Sequence, residues 1–331
     1  ICAALHRVIS DLDFLYQVLK LCLDRSEKIE HPFERTLAFK GQLERVFDTA
    51  QTGYSYWYET TRRYLTVNIT PLNVSAKFAQ MMKDTGAGFV FTSATLSVDN
   101  DLAHFNASLG LKPTQSMIVE SPFDYQQQAL LCLPRYLPES HANNMPHAII
   151  KLTLELIKSA KGRCFVLFTS YRMMHLVAEG LTTQMDYPVY MQGQMSKRII
   201  LEKFTRHGNA VLLGTASFWE GVDVRGSTLS CVIIDKLPFA APDDPLLQAK
   251  MQDCQLQGKD PFAHIQLPQA VIALKQGVGR LIRDSKDKGV LVICDNRLVT
   301  RHYGQVFLKS LPPMRRTRDL AMANAFLEQI N

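Results

Sequence analysis

Beyond Pro122, short runs of aliphatic and β-branched residues alternate with amphipathic stretches, and this alternation restricts the fold more than any other feature of the chain. Residues 129–133, 164–168, 189–191, 210–213, 231–235 and 290–294 have strand length and are nearly all apolar, the composition of strands buried on both faces. Residues 145–159, 173–182, 197–206 and 269–282 have helical spacing. In the first of these, Ile149, Leu152 and Leu156 share a face, Pro146 stands near the start and Gly162 follows the end. Strand followed by helix, repeated, predicts an α/β fold with a doubly wound, mostly parallel sheet. Such sheets bind ligands beyond the carboxyl ends of their strands.

Upstream the pattern differs. Leu5, Val8, Leu12, Leu15, Val18, Leu19 and Leu23 predict a long helix over 3–23, and 33–50 predicts a second. Residues 54–58 and 64–69 read as two strands about a polar turn at Arg62 and Arg63. A short helix over 75–83 leads to an expected buried strand at 88–92, which ends in the small-residue turn Ser93-Ala94-Thr95.

Size, apolar run length, cysteine pattern and charge further bound the function. A chain of 331 residues, 47% hydrophobic and 21% charged, holds a sizeable core, with room for two domains at about 150 residues each. Its longest apolar runs, at 230–234 and 289–294, are strand-sized and fall short of the roughly 20 residues a membrane helix needs. The seven cysteines are scattered without a CxxC spacing, which fits reduced, buried thiols in a cytoplasmic protein. A net charge of +6 is compatible with an anionic partner without requiring one. The chain opens on Ile1, and we read it as a piece of a larger protein.

Three segments at expected strand ends carry residues suited to phosphate. Ser93 and Thr95 offer hydroxyls and Ala94 allows close packing, although small polar residues after a strand are by themselves an ordinary turn. In the stretch 212–226, Gly214 and Thr215 end a strand and can present an N–H and a hydroxyl to phosphate. Farther along, Glu220, Gly221 and Asp223 bring backbone freedom and carboxylates, and the plain alternative is a solvated loop. In Gln276-Gly-Val-Gly-Arg-Leu-Ile-Arg283 a continuous helix would put Gln276, Arg280 and Arg283 on one face, a span of roughly 10 Å that matches a triphosphate tail. Arginine keeps its charge and forks two donors toward phosphate. A fourth candidate is Thr169 with Ser170, where a helix cap is the default reading. Arg315, Arg316 and Arg318 read as a solvated tail.

Taken together and in this order, the Thr-Ser-Ala-Thr, Phe-Thr-Ser, Gly-Thr-Ala-Ser-Phe-Trp-Glu-Gly-Val-Asp and Gln-Gly-Val-Gly-Arg-Leu-Ile-Arg segments resemble motifs III, IV, V and VI of the superfamily 2 helicases. Phe218-Trp-Glu-Gly-Val-Asp223 and Asp235-Lys-Leu-Pro-Phe239 resemble the DinG/XPD branch in particular. The resemblance runs from about Tyr54 to Leu311. It implies two RecA-like motor domains that hydrolyse ATP with Mg²⁺ and move 5′ to 3′ along single-stranded or forked DNA, in repair or replication. By motif, Arg280 and Arg283 would be arginine fingers and Gln276 would lie near the γ-phosphate. Glu220, Gly221 and Asp223 would contact nucleotide, Thr169, Ser170 and Thr215 would hold DNA, and Ser93, Ala94 and Thr95 would couple the two.

The sequence also departs from that family. No GxxxxGK[ST] and no Asp-Glu-x-His occur, and the seven cysteines do not match the four that hold a 4Fe-4S cluster in the family. The resemblance therefore implies a C-terminal part: an arch end over 1–53, the end of the first motor domain over 54–127 and the second motor domain over 128–331. Alone, such a part would be inactive, and strand segments left without neighbours would expose apolar surface. A replisome clamp-loader subunit is the partner the resemblance offers for testing. The competing readings are a non-catalytic module that docks DNA or replication and repair proteins, and a part of a helicase-like nuclease.

Overall fold

In a computed structural model, which describes residues 2–49, 52–112, 115–219 and 228–331, helices Cys2–Cys22 and Glu30–Phe47 pair along their lengths. Tyr16 stacks on Phe33 with ring centres 5.1 Å apart, and Lys40 pairs with Asp13. Strands β1 (Tyr54–Thr60) and β2 (Leu65–Pro71) form an antiparallel hairpin in which Tyr54 faces Pro71 and Thr60 faces Leu65. The Thr61 N–H donates to the Tyr64 carbonyl at 2.8 Å and closes the turn around Arg62 and Arg63. Helix Pro245–Leu256 packs on β1, where the Ser55 hydroxyl reaches the Pro245 carbonyl at 3.4 Å. It starts where Asp244 accepts the Leu247 N–H and Pro245 occupies the first turn. These elements form one compact unit, Ile1–Val74 with Pro242–Lys259. Nothing in the composition of 242–259 marks it as packing with residues two hundred positions earlier.

The second unit, Ser75–Ala241 with Asp260–Asn331, is built on a seven-stranded sheet. Its strands are β3 (Ala129–Cys132), β4 (Cys164–Leu167), β5 (Val189–Met191), β6 (Val211–Gly214), β7 (Cys231–Ile234), β8 (Gly289–Ile293) and β9 (Arg315–Thr317). They lie in the order β5-β6-β4-β7-β8-β3-β9, and every neighbouring pair is parallel. Side chains alternate between the two faces. Phe165, Leu167, Leu212, Leu291 and Ile293 enter one core, under helices Lys197–His207, Leu267–Val278 and Gly304–Ser310. Cys164, Val166, Val211, Leu213, Val290 and Val292 enter the other, under Met145–Ser159, Tyr171–Thr182 and Leu320–Ile330. Helices on both faces of a parallel sheet make this the doubly wound arrangement expected from the alternation, and the RecA-like fold that the resemblance implies.

Three expectations need correction. Residues 88–92 form no strand: no ladder partner exists for them among the described residues, and Val90 is 87% exposed. Phe89, Val90 and Phe91 have strand propensity, yet a strand needs a neighbour to satisfy its backbone. Met117, Ile118 and Val119 are exposed in the same way. Next, the helix does not continue through Arg283; it is Leu267–Val278 and ends at Gly279, because Gly277 in its last turn and Gly279 at its cap weaken it. Last, the arginines of 315–318 are no solvated tail. Arg315 lies over the Phe326 ring at 5.6 Å, Arg316 donates to the Leu308 carbonyl at 3.0 Å and Arg318 to the Leu133 carbonyl at 3.4 Å. They belong to edge strand β9 and its exit, where charge guards an open edge.

Candidate functional site

Because all seven strands run the same way, β4, β5, β6, β7 and β8 deliver their following residues to one edge of the sheet. These are Thr169 and Ser170, Gln192, Thr215, Asp235 and Asp295. Thr169 donates its N–H to Asp235 Oδ1 at 3.0 Å and its hydroxyl to Oδ2 at 3.3 Å. Asp235 is buried, and burial raises its carboxyl to about 7, against the opposing pull of the Lys236 charge and of the Lys236 and Thr169 N–H groups. Ser170 caps helix Tyr171–Thr182: its backbone is extended and its oxygen accepts the Met173 N–H at 3.3 Å. Asp295, also buried, accepts the Leu237 N–H at 2.9 Å and a forked pair from Arg297, with Nε on Oδ1 at 3.0 Å and Nη2 on Oδ2 at 2.6 Å. The Asp235-Lys-Leu-Pro-Phe239 segment is thus held by two buried carboxylates.

On the other side of β4, Thr215 meets Gln192 of the loop after β5. The Thr215 N–H and hydroxyl both reach the Gln192 amide oxygen, at 2.7 and 3.0 Å. The Gln192 amide nitrogen reaches the Tyr171 hydroxyl at 2.7 Å and the Ser217 hydroxyl at 3.0 Å. Lys197 donates to the Ser217 carbonyl and lies over the Phe218 ring at 5.3 Å. Glu220, Gly221 and Asp223 lie outside the described residues.

The third segment is arranged by groups far away in sequence. Gln276 stays on helix Leu267–Val278, while Arg280 and Arg283 follow in the turn and loop beyond it, so the three do not share a helical face. Asp287 Oδ2 accepts the N–H groups of Arg283 and Asp284, each at 2.9 Å. The buried Gln128 amide donates to the carbonyls of Asp284, Ser285 and Asp287 at 3.0, 3.1 and 2.9 Å. Beside Gln276, Lys275 donates to the carbonyl and hydroxyl of Ser97 at 2.8 and 3.2 Å, and partial burial lowers its ammonium from the usual value. That contact sets the Ser93-to-Ser97 stretch against the helix of Gln276. Within the stretch, Ser93 Oγ accepts the Thr95 N–H at 3.1 Å, and the two hydroxyls lie 3.3 Å apart.

Asp235 stood within a segment that the sequence marked; Gln192, Gln128, Lys275 and Asp287 carried no sequence signal. A groove of about 520 Å³ lined by Lys158, Asp186, Tyr187 and His207 lies at the opposite end of the strands, before β5 and β6. Cys132, Cys164, Cys231 and Cys294 lie in or just after sheet strands as buried thiols, and burial pushes Cys132 up to about 12. Among the described residues no three His, Cys, Asp or Glu side chains gather to hold a metal ion.

Residues 153–314 match the helicase C-terminal domain family. The chain is 53% identical over 316 residues to the ATP-dependent DNA helicase YoaA of Escherichia coli (strain K12), covering 96% of this chain and 50% of that protein. It is 35% identical over 278 residues to the ATP-dependent helicase DinG of Mycobacterium tuberculosis (strain ATCC 25177 / H37Ra), covering 82% of this chain and 41% of that one. A solved XPD helicase matches the fold with a TM-score of 0.58 at 20% identity, over 90% of this chain and 55% of that chain. The chain spans about half the length of the curated relatives it matches.

Proposed function

The chain belongs to the DinG/XPD-type superfamily 2 helicases, and from that premise we propose that it is the C-terminal motor part of a longer ATP-dependent DNA helicase. In this reading 1–53 end an arch, 54–127 end the first motor domain and 128–331 form the second. The whole enzyme couples ATP hydrolysis to 5′ to 3′ movement on single-stranded or forked DNA in the bacterial cytoplasm, during repair or replication. The isolated chain does not hydrolyse ATP. A replisome clamp-loader subunit is its partner to test.

The observation that carries the reading is that parallel β4 and β6 end together and bring Thr169, Ser170 and Thr215 to one side of the sheet, which in this reading is the DNA side. Ser93, Ala94 and Thr95 couple this grip to the nucleotide, and the Lys275 contact to Ser97 supplies a physical route. Exposed strand-prone segments at Phe89–Phe91 and Met117–Val119 fit a first motor domain completed by chain from elsewhere in the enzyme.

The residues present fit one side of an ATP site. Gln276, Arg280 and Arg283 provide donors for phosphate, with Glu220, Gly221 and Asp223 as further nucleotide contacts. In this reading Mg²⁺ and a 4Fe-4S cluster belong to the rest of the enzyme, the seven cysteines of this chain being scattered without a CxxC spacing. When bound, ATP supplies the phosphoryl transfer that drives movement. This chain's arginines stabilise charge on the transferred group, and the Asp287 and Gln128 bonds fix the backbone that carries Arg283. In the full-length enzyme Arg283→Ala should cut DNA-stimulated ATP hydrolysis by about 10³-fold or more while most DNA affinity remains. Unchanged hydrolysis would remove the finger assignment.

A further inference from the structure

Two threonines and three other hydroxyls crowd the edge beyond β4 and β6, and the direction of each hydroxyl proton can be deduced. A backbone N–H only donates, so the group 2.7 Å from the Thr215 N–H must be the oxygen of the Gln192 amide. The nitrogen of the same amide therefore faces Tyr171 Oη at 2.7 Å and Ser217 Oγ at 3.0 Å. An amide nitrogen has protons and no acceptor capacity, so both hydroxyls accept there and keep their own protons for another partner. Ser170 is in the same condition, since its oxygen accepts the Met173 N–H. The threonines are the reverse: Thr215 gives N–H and hydroxyl to Gln192, and Thr169 gives its N–H to Asp235 and its hydroxyl to the same group as the ionised carboxylate.

A phosphodiester oxygen is a charged acceptor and needs donors. We propose that Ser170, Tyr171 and Ser217 are the hydroxyls that bind the phosphodiester backbone of a single strand, and that Gln192 is the positioning residue that turns Tyr171 and Ser217 outward. Thr169 and Thr215 hold the edge together from inside. The proposal deepens the reading of this edge as the DNA side and rests on it. Tyr171 is 56% exposed and Ser217 is exposed, so a strand can reach both. Lys197, bonded to the Ser217 carbonyl, adds positive charge beside them. These groups address the backbone alone, so binding is indifferent to base sequence.

The test measures binding of a fluorescent oligothymidylate to the 331-residue chain by anisotropy. Tyr171→Phe and Ser217→Ala each remove one outward donor together with its bond from the Gln192 amide, and each should weaken binding about threefold to tenfold. Gln192→Glu still accepts from Thr215 but turns the other two hydroxyls inward, and should weaken binding more than either. Tyr187→Phe, at the opposite end of the strands, should leave affinity unchanged. Full affinity in both Tyr171→Phe and Ser217→Ala, with the loss confined to Thr215→Val, would overturn the proposal and leave the DNA reading standing. Absence of binding by the unaltered chain would overturn the DNA reading and this proposal with it.

Discussion

Asp235 accepts both the N–H and the hydroxyl of Thr169, at 3.0 and 3.3 Å, and does so from a site where it is 1% exposed. One buried carboxyl thereby ties the exit of β7 to the exit of β4. Its position makes the edge of the sheet sensitive to the state of a single group.

Burial lifts the Asp235 carboxyl from 3.8 to about 7 in the folded chain. A raised pKa means that the fold prefers the protonated acid, so its stabilising contribution is complete below 3.8 and is lost as pH rises through about 7. Asp235→Asn removes this term and still accepts both N–H groups. The variant should match the native protein near pH 4 and melt a few degrees higher at pH 8, at about 2–4 °C per kcal/mol. Parallel melting curves for the two proteins from pH 4 to pH 8 would contradict the assignment.

Gln128→Leu keeps the size of a buried side chain and takes the donor away from three carbonyls of the 284–287 loop. It should cost about 1–3 kcal/mol, read as a lower urea midpoint with an unchanged slope. An unaltered midpoint would mean that water replaces the amide.

At Gly214 an added Cβ would lie 2.7 Å from Phe218 Cβ and 2.8 Å from Cγ. Phe218 is buried edge-on against Phe165, with ring centres 6.4 Å apart, and has no room to retreat. Gly214→Ala should cost about 1–3 kcal/mol and weaken oligonucleotide binding, because Thr215 and Ser217 move with Phe218. Calorimetry and anisotropy on the same preparation check both.

Arg297→Ala strands the buried Asp295 without its forked partner. The guanidinium is one-third exposed, with a side-chain exposure of 33%, which limits the loss to about 1–3 kcal/mol. Asp295→Asn added to Arg297→Ala should recover part of it, since the uncompensated charge is gone. A double variant no more stable than Arg297→Ala would show that the cost comes from lost packing on Phe239, over which Arg297 lies at 5.5 Å.

Much of the fold was written in local pattern. The near-continuous apolar runs of β3, β4, β6, β7 and β8 and the helical spacing between them require a parallel sheet covered on both faces, because burial on two sides leaves no room for polar alternation. Ser170 as a helix cap follows from its place before Tyr171 alone. Parallel strands then oblige Thr169, Ser170, Thr215 and Asp235 to share an edge, so the region of the candidate site was also legible.

Tertiary structure decided what those residues do there. Residues 88–92 have the composition of a strand and form none, since a ladder needs a second strand and composition cannot supply one. The helix toward Arg283 stops at Gly279, and the loop beyond is set by Gln128, 156 residues away from Asp284. Most of all, the sequence determined that hydroxyls would gather beyond β4 and β6, while the fold decided which way their protons point. A hydroxyl has one proton, and the acceptor that claims it, Asp235 for Thr169 and Gln192 for Thr215, lies 66 or 23 residues distant. No local pattern carries that choice; only the packed neighbours of each oxygen do.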